Sequence, residues 1–256
     1  MNYQRHHLVQ TWIAQVGNML RTALQGELEI EEKSGRADLV TQMDKAVEAY
    51  LIDQIHHYFP NDQILGEEGH GHNLTSTQGV LWIIDPIDGT LNFVKQANNF
   101  GTMIGIFEDG QAQAGYIYDV MKDDLYYGIN GEGVFLNDQP LVPTLDTFLA
   151  DSLLNINQYH LVGSDPQIQA LVNGALGVRG YGSAALEIIS ILRGEASIYY
   201  ASRLQPWDFA AGLAIFKELG LKVTDRQGQA LDLLEASTVV FASPQVHQEA
   251  IQLLNA

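Results

Sequence analysis

The chain contains no cysteine. Disulfides, thiolate catalysis and cysteine-ligated zinc are therefore excluded. Basic residues are scarce as well: 13 Lys and Arg stand against 31 Asp and Glu, a formal charge of −18 over 256 residues. Such a surface repels DNA, RNA and anionic lipid, so neither a nucleic-acid nor a membrane partner is expected. It also repels a phosphorylated ligand, unless bound cations reverse the sign locally. No apolar run approaches the roughly 18 residues that a membrane span needs. The polar start Met1-Asn2-Tyr3-Gln4-Arg5-His6-His7 leads into no apolar run of signal-peptide length. The expectation is a soluble, cytoplasmic protein. Gly128, Gly131 and Gly133 do not satisfy G-x-G-x-x-G, and no Walker A motif occurs, so a nucleotide-binding loop of either kind is unsupported. H-E-x-x-H is absent too, and the pair His70 and His72 is not read as a zinc site.

What is present begins with 46% hydrophobic residues, enough for a substantial core in one large domain or two intimate halves. Leu8, Trp12, Ile13, Val16, Leu20, Ala23 and Leu24 recur at helical spacing, and a short edge strand follows near Glu27 to Glu32. Thr41 and Asp44 form a capping-box-like start to a helix that ends near Pro60. From Thr102 to Leu136, turn signals about every ten residues predict an antiparallel meander. After about residue 150 strands and helices alternate, which suggests βα units. The division is a half over 1–150 and a half over 151–256.

The most informative stretch is Trp82-Ile83-Ile84-Asp85-Pro86-Ile87-Asp88-Gly89-Thr90-Leu91-Asn92-Phe93. Three apolar residues run into an aspartate, as a buried strand does at its carboxyl end. Pro86, which has no N–H to donate, is expected to stop the ladder. Asp88 follows Asp85 across a turn, so both carboxylates can face one point. Gly89 lets the backbone approach a ligand, and Thr90 adds a hydroxyl. Two carboxylates, the free carbonyl of Ile87 and a hydroxyl are the oxygen donors that Mg²⁺ takes. Alone, the same residues describe an ordinary Asp-Pro and Asp-Gly turn.

Three further stretches accompany this one: Lys33-Ser34 through Asp44, Gly66-Glu67-Glu68-Gly69, and Pro206-Trp207-Asp208-Phe209-Ala210-Ala211-Gly212. In this order the four motifs resemble those of the inositol monophosphatase family of Mg²⁺-dependent, lithium-sensitive phosphatases, and the resemblance runs from about Lys33 to Gly220. It implies a layered α/β fold, an αβαβα sandwich, and commonly a homodimer. It implies hydrolysis of a phosphate monoester by a metal-activated water, with two or three Mg²⁺ ions. Asp44 would be the partner of the Thr90 hydroxyl, and Glu67 a metal ligand that also orients the water, with Glu68 supporting it. Glu67, Asp85 and the Ile87 carbonyl would form one cation site, and Asp85, Asp88 and Asp208 a second. The N–H groups of Gly89 and Thr90 would hold phosphate oxygens, and Asp88 and Asp208 would also border the substrate. Gly182-Ser183-Ala184 matches the start of a ligand-contacting helix. Lys33 and Asp38 match positions near a metal-sensitive loop.

The family pattern breaks on the substrate side. Animal inositol monophosphatases carry a glutamate seven residues before the Trp-Asp aspartate, where this chain has Ala201. The aspartate four residues before that glutamate is here Ser197, and the expected Gly-Gly pair after the Trp-Asp helix is Gly220-Leu221. Arg203 adds a positive charge near the expected substrate mouth. The leading reading is a phosphatase of a small phosphorylated polyol or sugar, inositol 1-phosphate first. The alternatives on the same site are the 2′-phosphate of NADP, fructose 1,6-bisphosphate and 3′-phosphoadenosine 5′-phosphate. A non-catalytic anion- or metal-binding protein is the reading from a different class.

Overall fold

The structure, a computed structural model, describes the backbone of residues 3–35 and 38–256 and the side chains of residues 3–32 and 39–256. The roles expected of the Lys33 and Asp38 side chains fall outside the described residues. In chain order the elements are α1 (Tyr3–Ala23), β1 (Ile30–Gly35), β2 (Asp38–Thr41), α2 (Gln42–Tyr58), β3 (Gln63–Gly66), β4 (Val80–Asp88) and α3 (Thr90–Gln96). Then come β5 (Gly101–Glu108), β6 (Gln111–Asp119), β7 (Asp124–Ile129), β8 (Gly133–Leu136), β9 (Gln139–Pro140), β10 (Leu153–Ile156) and α4 (Pro166–Gly174). The chain closes with β11 (Gly177–Arg179), α5 (Ala184–Leu192), β12 (Ile198–Leu204), α6 (Pro206–Glu218), β13 (Lys222–Thr224), β14 (Ser237–Ala242) and α7 (Pro244–Leu254).

Side-chain alternation along the strands divides the interior into three packed zones. Leu81 and Ile83 of β4 face α5 and α6, whereas Trp82 and Ile84 face α1 and α2. In β12, Tyr199 and Ala201 face α5 and α6, whereas Ile198 and Tyr200 face α4 and α7. The layers are thus α1/α2, a seven-stranded sheet, α5/α6, a five-stranded sheet, and α4/α7, the αβαβα sandwich. The central strands are buried on both faces, so they read as continuous apolar runs.

The seven-stranded sheet has the order β3-β4-β5-β6-β7-β8-β9 and is antiparallel apart from the parallel pair β3/β4. The second sheet has the order β11-β10-β12-β14-β13. Its βα character is only partial. β10 is parallel to β11 and β12, but β14 is antiparallel to both β12 and β13. The chain passes from β12 through α6 to the sheet edge at β13 and returns as β14, which reverses the direction.

The expectation that Pro86 ends its strand is corrected. β4 continues through it to Asp88, because the register against β5 shifts between Asp85 and Asp88. The proline's missing N–H falls within that irregularity, and its carbonyl accepts the Thr102 hydroxyl at 2.9 Å. Among the described residues no helix is long and apolar enough to cross a membrane.

Helix α6 lies unusually close to the first sheet, for a reason visible in the residues. Gly105, Gly115 and Gly128 are cross-strand partners on β5, β6 and β7 and form a row under the helix. The helix presents Ala210, Ala211 and Ala214 to that row. A Cβ on Gly115 would sit 2.1 Å from the Ala211 carbonyl oxygen. Gly115→Ala therefore has to push α6 outward. The expected result is a loss of about 1–3 kcal/mol in urea unfolding, the usual range for overpacking. Mg²⁺ should also bind more weakly, since Asp208 rides on the same helix. An unchanged urea midpoint would sink the close-packing account.

Candidate active site

The acidic residues Asp44, Glu67, Asp85, Asp88 and Asp208 reach one region from four parts of the chain: the start of α2, the turn after β3, the end of β4 and the start of α6. Asp44 stands in the first turn of α2, where it completes a capping box. The Thr41 N–H and hydroxyl both donate to Asp44 Oδ2 at 2.7 Å, and Thr41 Oγ1 accepts the Met43 N–H at 3.1 Å. Its other oxygen, Oδ1, accepts the Thr90 hydroxyl at 2.9 Å, with the Ile87 carbonyl 3.0 Å away as that hydroxyl's alternative acceptor. Asp44 is fully buried and Thr90 nearly so. A carboxylate with both oxygens committed is a rigid acceptor, so the Thr90 oxygen is held in one place.

Asp85 and Asp88 lie on the last turn of strand pleats in β4. Gly89, at φ +89°, then turns the chain into α3, a conformation that favours glycine. The Asp88 carboxylate receives three donors from the start of α5. They are the Ser183 hydroxyl, the Ala184 N–H at 3.2 Å and the Ala185 N–H at 2.7 Å. Asp208, third residue of α6, accepts the Gln205 N–H at 2.7 Å and so also caps its own helix. Carboxylate oxygens of Asp85, Asp88 and Asp208 lie within 4.8 Å of one another. A second such group is Asp44, Glu67 and Glu68. Glu67 thus stands between the two groups, and its charge also acts strongly on Asp85. Glu68 was expected only to support Glu67, yet it offers an oxygen to the same cluster.

The electrostatics follow from burial. Burial, then the charges of Glu67, Asp88, Asp208 and Asp44, hold the Asp85 carboxyl well above the usual range. Burial and the Asp88 charge push Asp208 up to about 8. Burial raises Asp88 also, against the opposing pull of its three donors. Asp85 Oδ1 is buried with no hydrogen-bond partner. An orphaned carboxylate oxygen facing two further carboxylates is a costly arrangement without a cation, and the all-oxygen donor set fits Mg²⁺.

These groups border a cavity of about 700 Å³ lined by Glu67, Asp85, Asp88, Thr90, Arg179 and Asp208 among others. A second cavity, of about 310 Å³, continues past Asp88 and Asp208 between Tyr159, Tyr199, Ala201 and Arg203. Gly182, Ser183 and Ala184 border it as well. Ser183, however, spends its hydroxyl on Asp88. Arg203 is on β12, two residues beyond Ala201, and both face this second space.

Four neighbouring residues were not found from the sequence. Glu48, buried on α2 one turn after Asp44, accepts the Glu68 N–H at 2.8 Å and so holds the Glu67 turn. His72 donates to the Gly66 carbonyl at 2.8 Å and stacks on Trp207, with ring centroids 5.3 Å apart. It thereby ties the Glu67 turn to the helix of Asp208. Glu187 is buried on α5 and burial pushes its carboxyl up to about 7. Asn92 is buried on α3. The i, i+4 spacing of Asp44 and Glu48 was the one available signal. His72 meets Trp207 and Asn92 meets Tyr181 only across the fold, and Glu187 turns back onto the Tyr181 and Gly182 N–H groups just before its own helix.

A buried strand end and two helix starts converging carboxylates on one oxygen-lined cavity define a cation-dependent phosphomonoesterase of the layered α/β type. The comparisons with known proteins agree. The family model for the inositol monophosphatase family matches residues 4–256, and the chain belongs to that family, whose members hydrolyse phosphate monoesters. The inositol-1-monophosphatase of Bacillus subtilis (strain 168) is 41% identical over 245 residues, covering 94% of this chain and 92% of that protein. The crystal structure of inositol monophosphate bound SaIMPase-II superposes with a TM-score of 0.88 at 37% identity, covering 97% of this chain and 92% of the other. An IMPase/NADP phosphatase complexed with Mg²⁺ and phosphate gives a TM-score of 0.92 at 30% identity, covering 99% and 95%.

The raised carboxyls make a prediction about pH. In the unfolded chain Asp85 and Asp208 titrate near about 4. Between there and the folded values the native state holds protons that the unfolded state has released. The stability this gives is complete below about pH 4 and is lost as pH rises towards about 8. With chelator, the melting temperature should fall between about pH 6 and pH 8.5, and Asp208→Asn should flatten that fall. Mg²⁺ should stabilise most at the alkaline end. Equal chelated slopes for parent and Asp208→Asn in differential scanning calorimetry would refute it.

Proposed function

We propose that this enzyme hydrolyses a small phosphorylated polyol, inositol 1-phosphate foremost, with Mg²⁺ held by Glu67, Asp85, the Ile87 carbonyl, Asp88 and Asp208. The observation that carries the reading is the Asp85–Asp88–Asp208 cluster, with its orphaned oxygen, in the same cavity as the Asp44–Thr90 hydrogen bond. Two or three ions fit the number of carboxylates. Bound Mg²⁺ supplies positive charge against the phosphate and acidifies a water.

The chain's own residues do the rest. Thr90 donates its proton to Asp44, so the oxygen's lone pairs are free to accept a hydrogen bond from the attacking water. Glu67 accepts the water's other hydrogen. The N–H groups of Gly89 and Thr90 hold phosphate oxygens at the left-handed turn after β4. The water oxygen bonds to phosphorus as the ester P–O bond breaks; one of the water's protons passes to the departing alcohol oxygen and the other stays with inorganic phosphate. No covalent phospho-enzyme is needed.

The alcohol part of the substrate is placed in the second cavity. There Ala201 removes a polyol acceptor and Arg203 adds a cation. That wall favours a second reading, a nucleotide bearing a 2′-phosphate, and a relative carries NADP phosphatase in its name. The two halves, residues 1–150 and 151–256, share the work: the second supplies Asp208 and the substrate wall. A cytoplasmic homodimer, sensitive to lithium, completes the proposal. A lithium-soaked inhibitory complex is known for Staphylococcal inositol monophosphatase-1.

The test is phosphate release with and without Mg²⁺ from inositol 1-phosphate, fructose 1,6-bisphosphate, NADP and 3′-phosphoadenosine 5′-phosphate. Inositol 1-phosphate should turn over fastest, and only with Mg²⁺. Thr90→Ala should lower kcat by about 10²–10⁴, the range for a lost proton-handling group. Arg203→Ala should leave inositol 1-phosphate unchanged. A selective loss on NADP would instead move the assignment to the nucleotide, and no release from any of the four would point to an untested phosphomonoester or to a binding protein.

A further inference from the structure

We propose that Glu187 and Asn92 are positioning residues that clamp the Tyr181–Gly182 turn from opposite sides and so aim the Asp88 carboxylate at the cation. The inference rests on the reading of Asp88 as a metal ligand.

The turn precedes α5 and delivers the three donors that Asp88 receives. Its own geometry is fixed by side chains from two different helices, α5 and α3. Glu187 Oε1 accepts the Tyr181 N–H at 2.6 Å and the Gly182 N–H at 3.3 Å. Asn92 Nδ2 donates to the Tyr181 carbonyl at 2.8 Å and to the Asn99 carbonyl at 2.9 Å. One side chain therefore takes the turn's N–H groups and the other a carbonyl. Asn92 is two residues past Thr90, so the clamp ties the Asp88–Thr90 segment back onto the turn that orients Asp88.

A purely structural explanation accounts poorly for Glu187. It is 3% exposed, and its second oxygen, Oε2, is buried without a partner. A buried carboxyl half satisfied is expensive, and an apolar residue would pack the same position at lower cost. What the carboxyl provides is a single oxygen that can accept two divergent N–H groups. Three donors already occupy most of the lone-pair directions of Asp88, and what remains for a cation depends on where those donors stand. Moving the turn moves the Ser183 hydroxyl and the α5 N–H groups, and hence the free direction. Residues that orient metal ligands at one remove are typically worth 10–100-fold in metal affinity.

The experiment is a calorimetric Mg²⁺ titration of the full chain, with melting curves in chelator and Mg²⁺ saturation of activity alongside. The variants are Glu187→Ala, Glu187→Gln, Asn92→Ala and Asp88→Asn. Glu187→Ala and Asn92→Ala should each weaken Mg²⁺ binding by about 10–100-fold, while kcat at saturating Mg²⁺ stays within about threefold of the parent. Glu187→Gln keeps an acceptor oxygen for both N–H groups and should bind Mg²⁺ within about threefold of the parent. Should Glu187→Ala fail to fold, Asn92→Ala and Glu187→Gln decide the matter. Parent-like Mg²⁺ affinity in Asn92→Ala, or a loss in Glu187→Gln as large as in Asn92→Ala, overturns the clamp. If Asp88→Asn binds Mg²⁺ like the parent, the ligand reading of Asp88 has fallen and the clamp with it. If Asp88→Asn loses binding while the clamp variants keep it, the clamp alone is wrong.

Discussion

The structure depends on crowding like charges where they would separate if free to do so. At an effective dielectric of about 20, two carboxylates about 4 Å apart repel by about 4 kcal/mol, and this site gathers carboxyl oxygens within 4.8 Å of one another. Only a rigid frame holds them together. That frame takes strand β4 for Asp85 and Asp88, a capped helix start for Asp44, another for Asp208, and a braced turn for Glu67. Asp44, Asp88 and Asp208 are additionally tied by N–H or hydroxyl donors, whereas Asp85 Oδ1 is buried without a partner. The layered fold serves this purpose. Its first sheet supplies the strand end, and the helix sandwiched between the sheets supplies the acid from the far half of the chain.

Much of this was legible in the sequence because it is local. The two aspartates of the central stretch are three residues apart, and the capping box at Thr41–Asp44 is contained in one helical turn. Strands β5 to β9 of the first sheet are joined by short hairpins, so turn residues announced them. The three apolar residues before Asp85 likewise marked a buried strand. The αβαβα arrangement followed from resemblance rather than from spacing.

The parts that stayed hidden are those made by tertiary contact. Nothing within the segment from Gly66 to His72 reveals that an imidazole will stack on Trp207. Glu187 reads as a helix residue, and the backbone it holds lies in the turn before that helix. Pro86 misled for the opposite reason. The local rule, that proline ends a ladder, is sound, but a register shift absorbs the missing donor and the strand goes on to place Asp88. The glycines of β5, β6 and β7 carried no signal in the sequence. Their meaning appears only when α6 is laid across them.

That glycine row has a bearing on motion. Helix α6 contacts both sheets and carries a site acid at its first turn, so the site is built into the most enclosed layer of the molecule. The buried stretch of α6 from Phe209 to Phe216 is packed from both sides, so opening of the sandwich is the expected route by which its amides exchange. Fraying of the exposed edges, such as the short strand β9, leaves Asp208 undisturbed. In the proposed reading, substrate adaptation falls to the wall around Tyr159, Ala201 and Arg203. There, side chains can be exchanged without loosening the carboxylates that do the chemistry.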